Sequence, residues 1–311
     1  MHFLRLSSFA RRASVALLGL LGACAGVDPH VVNREALDTS YQHIQKQDYA
    51  AAAQTAEALY AGRADDSSSY KLQRYYAAYL AAQAHIEAAL HKPFLTEAAP
   101  AGAKASIALG ANAPATGQVA SPTSHWLAAS YYAGYASELF EAAVGEPERK
   151  GDEELLPIGL KKLDVARTQA YLQLVRLATL RRLGFDVECA GIVEHTDDLR
   201  DVAKCKALLE QSDVPQELWP WIFYAGFRYL APRATDMRSV QFAYALGAQA
   251  RFLAEEAQDA QLVPCAQHVR DWVEALEKYE FHCGCDKKFQ ANVVRCSICG
   301  ESIVKAKLVT K

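Results

Sequence analysis

Apolar residues recur every three or four positions along most of the chain, which is the spacing of an amphipathic α-helix. The first two such segments cover residues 33–61 and 68–91. Their periodic positions are occupied by Leu37, Tyr41, Ile44, Tyr49, Ala52, Ala56 and Leu59, and then by Leu72, Tyr75, Tyr76, Tyr79, Ile86 and Leu90. No segment before residue 280 combines period-two alternation with turn residues. The pattern therefore predicts an all-α domain.

The same spacing predicts further helices along the rest of the chain. They are expected over residues 123–145, 158–183, 197–211, 215–230, 236–258 and 264–280. Segment 158–183 is apolar nearly all round, which is typical of a central helix covered by its neighbours. Pro220 should kink or restart the helix that contains it, because proline cannot donate the backbone hydrogen bond of a helix interior.

Residues 97–121 show no helical period and are rich in Ala, Gly, Pro, Ser and Thr. Such a composition predicts a long flexible loop. We expect this loop to separate a helical hairpin at residues 33–96 from a helical domain at residues 122–280.

The first residues predict an export signal. Three arginines precede an apolar run from Ala13 to Leu21, which is too short to span a membrane. Leu21-Gly22-Ala23-Cys24 follows, and this ending resembles the lipobox of bacterial lipoproteins. The resemblance implies cleavage before Cys24 and a lipid anchor on that cysteine. Residues 1–23 would then be the signal peptide and residues 24–32 a tether.

Two details of the signal bear on its destination. Ala25 stands where an aspartate would retain a lipoprotein at the inner membrane, so the lipobox resemblance implies the outer membrane. Arg11-Arg12 is similar to part of a twin-arginine signal, so export by the general secretory route or by the twin-arginine route stays open. The alternative to a lipobox is an ordinary signal peptide followed by an incidental cysteine.

The charge of the chain argues against nucleic-acid binding. The signal holds three arginines and no acidic residue, so the rest of the chain has 30 Lys and Arg against 36 Asp and Glu. This acidic balance disfavours contact with a phosphate backbone. Hydrophobic residues make up 51% of the chain, enough for a large core, and most of them are Ala and Leu, which favour helix.

Four cysteines near the C-terminus carry the strongest chemical signal, in the pattern Cys283-x-Cys285 and Cys296-x2-Cys299. Two close pairs of thiols in a short hydrophilic segment have the spacing of a tetrahedral Zn2+ site. The segment between the pairs is long enough for a small hairpin, so metal binding should supply most of its folding free energy. Because four ligands leave no open coordination position, the expected role of the zinc is structural.

Residues 281–289 and 294–300 resemble the short bacterial zinc ribbons of the pattern F-x-C-x-C-G-K-x-F … R-C-P-x-C-G. The resemblance implies a small β ribbon at residues 281–304, followed by a tail at residues 305–311. Asp286 and Ser297 replace a glycine and a proline of that pattern, and neither position is a ligand.

Two alternatives to the four-cysteine zinc site stay open. His282 has chelating spacing with Cys285 and could replace Cys283 as a ligand. Two disulfides could form instead of a metal site, because an exported protein meets an oxidising compartment.

Residues 33–61 resemble one tetratricopeptide unit, because Gln47-Asp48-Tyr49-Ala50-Ala51-Ala52 stands where that family has G-[DN]-Y-x-x-A. Thr39, Ser40 and His43 depart from the family's first helix, and no second copy follows at its period of about 34 residues. The resemblance implies an array of helical hairpins that is tetratricopeptide-like only at its start. Concave arrays of this class bind peptides and partner domains.

Two groups in the helical domain are candidates for chemistry. The run Glu194–Asp198 holds three acids and His195 and could bind a divalent cation, but a helix N-terminus capped by Thr196 explains it better. Cys265 and His268 could chelate or act as nucleophile and base, but a buried structural cysteine is commoner on a packed helix.

Aromatic residues and two other cysteines complete the candidates. The aromatic residues could line a ligand groove, but core packing is the better explanation. They are Trp219, Trp221, Phe223, Tyr224, Phe227 and Tyr229. Cys189 and Cys205 could pair in an oxidising compartment, which would leave Cys265 as an odd thiol.

These features together predict a lipid-anchored scaffold or interaction module that faces the periplasm. We expect an all-α array of helical hairpins with a small C-terminal β zinc ribbon. Its expected partners are the outer membrane, through Cys24, and a protein or peptide, but not nucleic acid. The alternative is an enzyme with a pocket near His195 or the aromatic residues, and a third interpretation is a nucleic-acid-binding ribbon protein of the cytosol.

Overall fold

A computed structural model describes residues 28–61, 68–91, 122–144 and 156–276, together with the strand residues 279–282, 288–289 and 307–310. The chain divides into two compact units after Leu172, and the division falls within a helix. The predicted signal peptide with Cys24, the predicted loop at 97–121 and the four ribbon cysteines lie outside the described residues.

The first unit is built from helices that pack on one another in sequence order. They are α1 (Pro29–Gln45), α2 (Tyr49–Tyr60), α3 (Ser68–His91), α4 (Pro122–Val144), α5 (Ile158–Lys161) and the start of α6 (Val165–Leu183). The most extensive contact joins α3 and α4, and α2 packs on α3 beside it. Both facing helices are rich in fully buried alanine, which lets their backbones approach closely.

A tight connection joins α1 and α2 into a hairpin. Gln47 has a φ of 61° and turns the chain, and the Asp48 carboxylate accepts a hydrogen bond from the Ala51 amide at 3.3 Å. An aspartate in this position satisfies an amide that would otherwise lack a partner at the start of α2. The buried Ser40 hydroxyl then donates to the Ala52 carbonyl at 2.9 Å and links the two helices.

The second unit surrounds a helix that is buried almost all round. Residues 220–227 of α9 (Trp219–Leu230) are all buried. The other helices described in this unit are the end of α6, α7 (Asp186–His195), α8 (Val202–Gln211), α10 (Met237–Ala257) and α11 (Val263–Leu276), with 3-10 turns at Asp197–Arg200, Gln216–Leu218, Ala231–Arg233 and Ala260–Leu262. Pro220 lies in the first turn of α9 and restarts the helix there, as predicted.

Two predicted helices are interrupted by an aspartate. Segment 158–183 breaks between α5 and α6, where the Asp164 carboxylate accepts from the Arg167 amide at 2.9 Å. Segment 197–211 breaks at Asp201, whose carboxylate accepts from the amides of Ala203 and Lys204 at the start of α8. A short acidic side chain that binds the backbone begins a new helix and so ends the previous one.

The prediction of an all-α domain is confirmed for the described residues before 277, while the predicted helix 264–280 ends earlier, at Leu276. Three short strands follow: β1 (Tyr279–His282), β2 (Lys288–Phe289) and β3 (Lys307–Thr310). They form an antiparallel sheet in the order β2-β1-β3, in which Phe281 pairs with Phe289 and with Leu308. Within the described residues, no helix has the length and apolar character needed to cross a membrane.

A close backbone approach at Gly226 of α9 generates the first prediction. A Cβ at this position would lie 2.5 Å from the carbonyl oxygen of Leu199, a backbone atom that cannot swing aside. We expect Gly226→Ala to destabilise the second unit by about 1–3 kcal/mol, the usual range for overpacking. Unfolding in denaturant, followed by far-ultraviolet circular dichroism, measures the change.

Gly191→Ala in α7 is the matched control, because a Cβ there would meet nothing within 4 Å. Alanine favours a helix interior over glycine by about 1 kcal/mol, so this variant should be neutral or more stable. Equal losses of stability in the two variants would contradict the close approach at Gly226.

Candidate functional site

The run Glu194–Asp198 does not form a cation site in the structure. The His195 ring donates from Nδ1 to the Gly191 carbonyl at 2.8 Å, at the end of α7. Asp197 pairs with Arg200, and Asp198 lies 3.8 Å from the Lys204 amine. Within the described residues, no three acidic, histidine or cysteine side chains converge as metal ligands. A 3-10 turn does begin after Thr196, but the Thr196 side chain makes no capping hydrogen bond, so that detail of the prediction is wrong.

Cys265 and His268 of α11 are brought together by a residue that the sequence analysis did not connect with them. The Tyr224 hydroxyl of α9 lies 2.9 Å from His268 Nδ1, and it lies close enough to the Cys265 thiol to lower its pKa slightly against the effect of burial. The guanidinium of Arg181 lies 5.6 Å from the centre of the Tyr224 ring. Tyr224 therefore lies beside both candidate groups and is hydrogen-bonded to His268.

The electrostatics of this trio favour neutral groups. Burial raises the pKa of Cys265 to about 11 and the pKa of Tyr224 to about 12. Burial, followed by the positive charge of Arg228, lowers the pKa of His268. A nucleophilic cysteine needs a thiolate, which a nearby imidazolium normally stabilises. Here the pKa of Cys265 is raised and the pKa of His268 is lowered, so the cysteine is a neutral thiol at neutral pH and no imidazolium stabilises a thiolate.

The other two described cysteines, Cys189 and Cys205, are free and buried, so the pairing that their sequence positions left open is not present in the structure. The Cys189 thiol donates to the Leu177 carbonyl across 3.8 Å. Burial raises the pKa of each thiol to about 12. Both behave as small apolar side chains in the core of the second unit.

The aromatic residues of α9 serve mainly as core. Trp221, Phe223, Tyr224 and Phe227 are buried, and Phe227 meets the Trp272 ring edge to face at 5.4 Å between centroids. The core interpretation is therefore confirmed for these four residues, whereas Trp219 and Tyr229 are only partly buried.

An open groove of about 380 Å³ lies elsewhere in the second unit, where the starts of α8 and α10 meet the end of α9. Leu230 and Phe242 give it an apolar floor, and its walls carry three cations and three carboxylates. The wall residues are Asp197, Arg200, Asp201, Lys204, Asp236, Arg238 and Ser239. The groove therefore combines apolar surface with charges of both signs.

Arg238 is the exceptional residue of the groove. Its guanidinium lies 5.5 Å from the centre of the Phe242 ring, and no carboxylate among the described residues pairs with it. It lies in the first turn of α10, where the helix dipole opposes a positive charge. Arg238 therefore does not stabilise the helix in this position. A carboxylate from another molecule would form two parallel hydrogen bonds with its planar guanidinium.

The first unit contains a buried polar cluster that the sequence analysis missed. Its members are Glu57 of α2, His85 of α3, and His125 and Tyr132 of α4. Each is 5% exposed or less. The available signal was a histidine among the alanines on the apolar face of α3, a position that normally carries an apolar residue.

The geometry of the cluster is a chain of hydrogen bonds. The Glu57 carboxylate accepts from His85 Nε2 at 2.8 Å, and the Tyr132 hydroxyl also donates to it. His85 Nδ1 lies 2.9 Å from His125 Nδ1. Burial, and then the charge of Glu57, raises the pKa of Tyr132 well above its ordinary value, so Tyr132 remains a donor.

The geometry of the cluster is that of a chain of acid–base groups and not that of a metal site. Glu57 and His125 contact opposite nitrogens of His85, so the three side chains do not point to one centre as metal ligands do. A carboxylate that orients one imidazole, which then meets a second acid–base group, is the general layout of a proton relay.

Comparison of the chain with protein-family models, with curated proteins and with solved structures gives no significant match. Its function is therefore inferred from its own residues.

The neutral state of Cys265 generates the second prediction. Because its pKa is raised to about 11, only a small fraction is thiolate at neutral pH, and alkylation of the folded protein should be slow. The rate should rise about tenfold per pH unit from neutral pH towards that pKa. Iodoacetamide labelling with peptide mapping measures Cys265 separately from the other cysteines.

Tyr224→Phe supplies the test of the local geometry. The Tyr224 hydroxyl lowers the pKa of Cys265, so its removal should slow alkylation further. Rapid alkylation of Cys265 in the folded wild type near neutral pH would contradict the neutral thiol and would restore the nucleophile hypothesis.

Proposed function

We propose that the protein is a lipid-anchored envelope scaffold that binds a partner protein through its helical part and carries a structural zinc ribbon at its C-terminus. The observation that carries the binding role is the mixed-charge groove with the guanidinium of Arg238, which pairs with no carboxylate in the part of the chain that the structure describes. The membrane anchor rests on the lipobox resemblance at Cys24, and the ribbon rests on the spacing of its four cysteines.

The chemistry of the groove favours a polypeptide ligand. A phosphate group would meet Asp197, Asp201 and Asp236 as well as the cations, which disfavours a purely anionic ligand. A peptide segment with acidic and basic side chains can pair with both, while Leu230 and Phe242 receive an apolar side chain. We expect Arg238 to pair with an acidic side chain of the partner, because guanidinium and carboxylate form two parallel hydrogen bonds.

The described residues that are candidates for catalysis have properties that favour a binding role over an enzymatic one. The Cys265 thiol is neutral and buried, and four of the aromatic residues of α9 are part of the core. The buried chain of Glu57, His85 and His125 has acid–base chemistry but almost no exposed surface with which to meet a substrate. These properties support a scaffold in preference to the alternative, an enzyme with a pocket in the helical domain.

The short strands support the ribbon part of the proposal. β1 ends at His282, directly before Cys283, and β2 begins at Lys288, shortly after Cys285. The first cysteine pair therefore falls, in sequence, between two strands that pair with each other. Connections between antiparallel strands are common positions for the ligand pairs of structural zinc sites.

The third prediction concerns partner capture from the native envelope after chemical cross-linking. Arg238→Glu should lower the yield of the partner at least tenfold, because it places a carboxylate opposite the partner's acidic side chain. Arg270→Glu, which changes an exposed arginine of α11 outside the groove, is the matched control and should retain the partner. Quantitative mass spectrometry of the captured material measures both.

The same samples test the anchor. Cys24→Ser should leave the precursor uncleaved or release the protein from the membrane fraction. Equal partner yields from Arg238→Glu and Arg270→Glu would reject the groove as the binding surface. A Cys24→Ser protein that is still processed, membrane-bound and labelled with fatty acid would reject the lipobox.

The fourth prediction is one zinc ion per chain, bound by Cys283, Cys285, Cys296 and Cys299. Cys296→Ser should lower the zinc content and make the tail sensitive to protease, because metal binding supplies the folding free energy of so small a segment. Zinc affinity should fall as pH falls, since protons compete for the thiolates. Elemental analysis of protein purified from its native compartment measures the metal.

Two variants and one chemical measurement separate the alternatives. Loss of zinc in His282→Ala but not in Cys283→Ser would make His282 the fourth ligand. Disulfide linkages among the four cysteines, with no zinc in the purified protein, would reject the metal site.

A further inference from the structure

We propose that Glu57, His85 and His125 form an acid-sensitive latch that holds α2, α3 and α4 together. The latch depends on the contact between two imidazole nitrogens, His85 Nδ1 and His125 Nδ1, which lie 2.9 Å apart in a buried environment. Such a contact accommodates one proton between the two nitrogens and excludes a second.

The first step is the protonation of His85 on its other nitrogen. A carboxylate only accepts hydrogen bonds, so the contact of 2.8 Å between Glu57 Oε1 and His85 Nε2 places a proton on that nitrogen. The Tyr132 hydroxyl also donates to Glu57. The contact with Glu57 fixes the orientation of the His85 ring, so that Nδ1 faces His125.

The second step is a count of protons. With one proton between the two Nδ1 atoms, both imidazoles can be neutral, or one can be an imidazolium that compensates the buried carboxylate. Two positively charged rings would each carry a proton on Nδ1, and the two N–H groups would then point at each other across 2.9 Å. The folded cluster therefore holds at most one excess proton on its two histidines.

The unfolded chain has no such limit. Both histidines take up a proton independently when the pH falls through the ordinary histidine range, near 6.5. Below this range the unfolded state binds one proton more than the folded state. The free energy of unfolding therefore falls as the pH falls. Because the two states differ by one bound proton, the equilibrium constant for opening rises about tenfold for each pH unit.

The charged and titratable groups on the neighbouring helices do not change the number of protons that His85 and His125 can bind in the folded state. On α2, Tyr60 meets the rings of Tyr132 and Tyr135 of α4. Arg74 of α3 lies over the Tyr60 and Tyr135 rings, three turns of helix away from His85. Burial raises the pKa of Tyr60 and of Tyr132, so neither hydroxyl loses its proton in the histidine range.

The remaining helices of the unit direct their titratable groups elsewhere. In α1, His43 lies 3.5 Å from the Asp48 carboxylate, and His30 contacts Tyr70 at the beginning of α3. Glu87 of α3 lies near Tyr49 of α2 and Tyr171 of α6 and raises the pKa of both tyrosines. Glu57 therefore supplies the carboxylate of the latch.

The latch joins the three helices that form the most extensive packing of the first unit. Glu57, His85 and His125 each come from a different helix, so separation of the two imidazoles loosens α3 from α4. Acid would thus loosen the first unit through the latch. The second unit has an acid-sensitive histidine of its own, His268, whose pKa is lowered by burial, so the latch is judged by comparing variants of the first unit. The inference does not depend on the proposed partner or anchor.

Hydrogen exchange of the full chain tests the latch, measured at about pH 7.5 and about pH 5, on either side of the ordinary histidine range. The amides of α3 and α4 should lose protection, corrected for intrinsic exchange rates, by a factor of ten or more between these two pH values. His125→Asn should remove this extra loss, because an amide group can donate to or accept from His85 and leaves one histidine to be protonated. His91→Asn, an exposed histidine of the same helix α3, should behave as wild type.

A second measurement on the wild type keeps the inference testable if His125→Asn fails to fold. Nitrogen-15 spectra of the imidazoles should show His85 and His125 becoming doubly protonated together, in the same pH interval in which α3 and α4 lose protection. Two imidazolium rings in a fully protected unit would overturn the latch. An equal loss of protection of α3 and α4 in the wild type and in a folded His125→Asn protein would overturn it as well.

Discussion

Close packing between α3 and α4 is the constraint on which the first unit depends. The facing surfaces carry fully buried alanines, among them Ala77, Ala81, Ala129, Ala133 and Ala136. Small side chains bring two backbones close together, but each buries little apolar area, so the hydrophobic gain per residue is small. The remaining stabilisation has to come from large side chains at the margins of the contact and from polar contacts within it.

The first unit has both large buried side chains and buried polar contacts, and the two differ in their sensitivity to pH. Trp126 and Tyr76 are buried and gain from apolar burial at any pH near neutrality. The Glu57–His85–His125 chain gains from hydrogen bonds that are strong because the site is dry, and it loses them if one proton too many is bound. A helix pair joined through alanine therefore relies on its polar chain more than a helix pair joined through leucine would.

Periodicity predicted the helices well because burial of an apolar face is what stabilises most of them. It failed at Asp164 and Asp201, where a single side chain that binds the backbone outweighs the apolar pattern around it. The spacing of Cys265 and His268 was visible on one helix, but Tyr224 lies far away in sequence and only the packing of α9 on α11 connects them. Whether a cysteine is activated depends on its burial and on neighbouring charges, and neither can be read from spacing.

The dependence on tertiary packing also explains why sequence analysis missed the buried polar cluster and Arg238. His85, Glu57 and His125 come from three helices, and each alone has the appearance of an isolated polar residue in an apolar segment. Likewise, Arg238 is one of many arginines in the sequence, and it becomes informative only when its position in the first turn of α10 and its lack of a carboxylate partner among the described residues are known. Buried groups that satisfy one another, as in the first unit, stabilise and regulate a fold. An exposed charge placed against the helix dipole and left without a partner gains most from a second molecule, and for this reason we assign the binding role to the groove of the second unit.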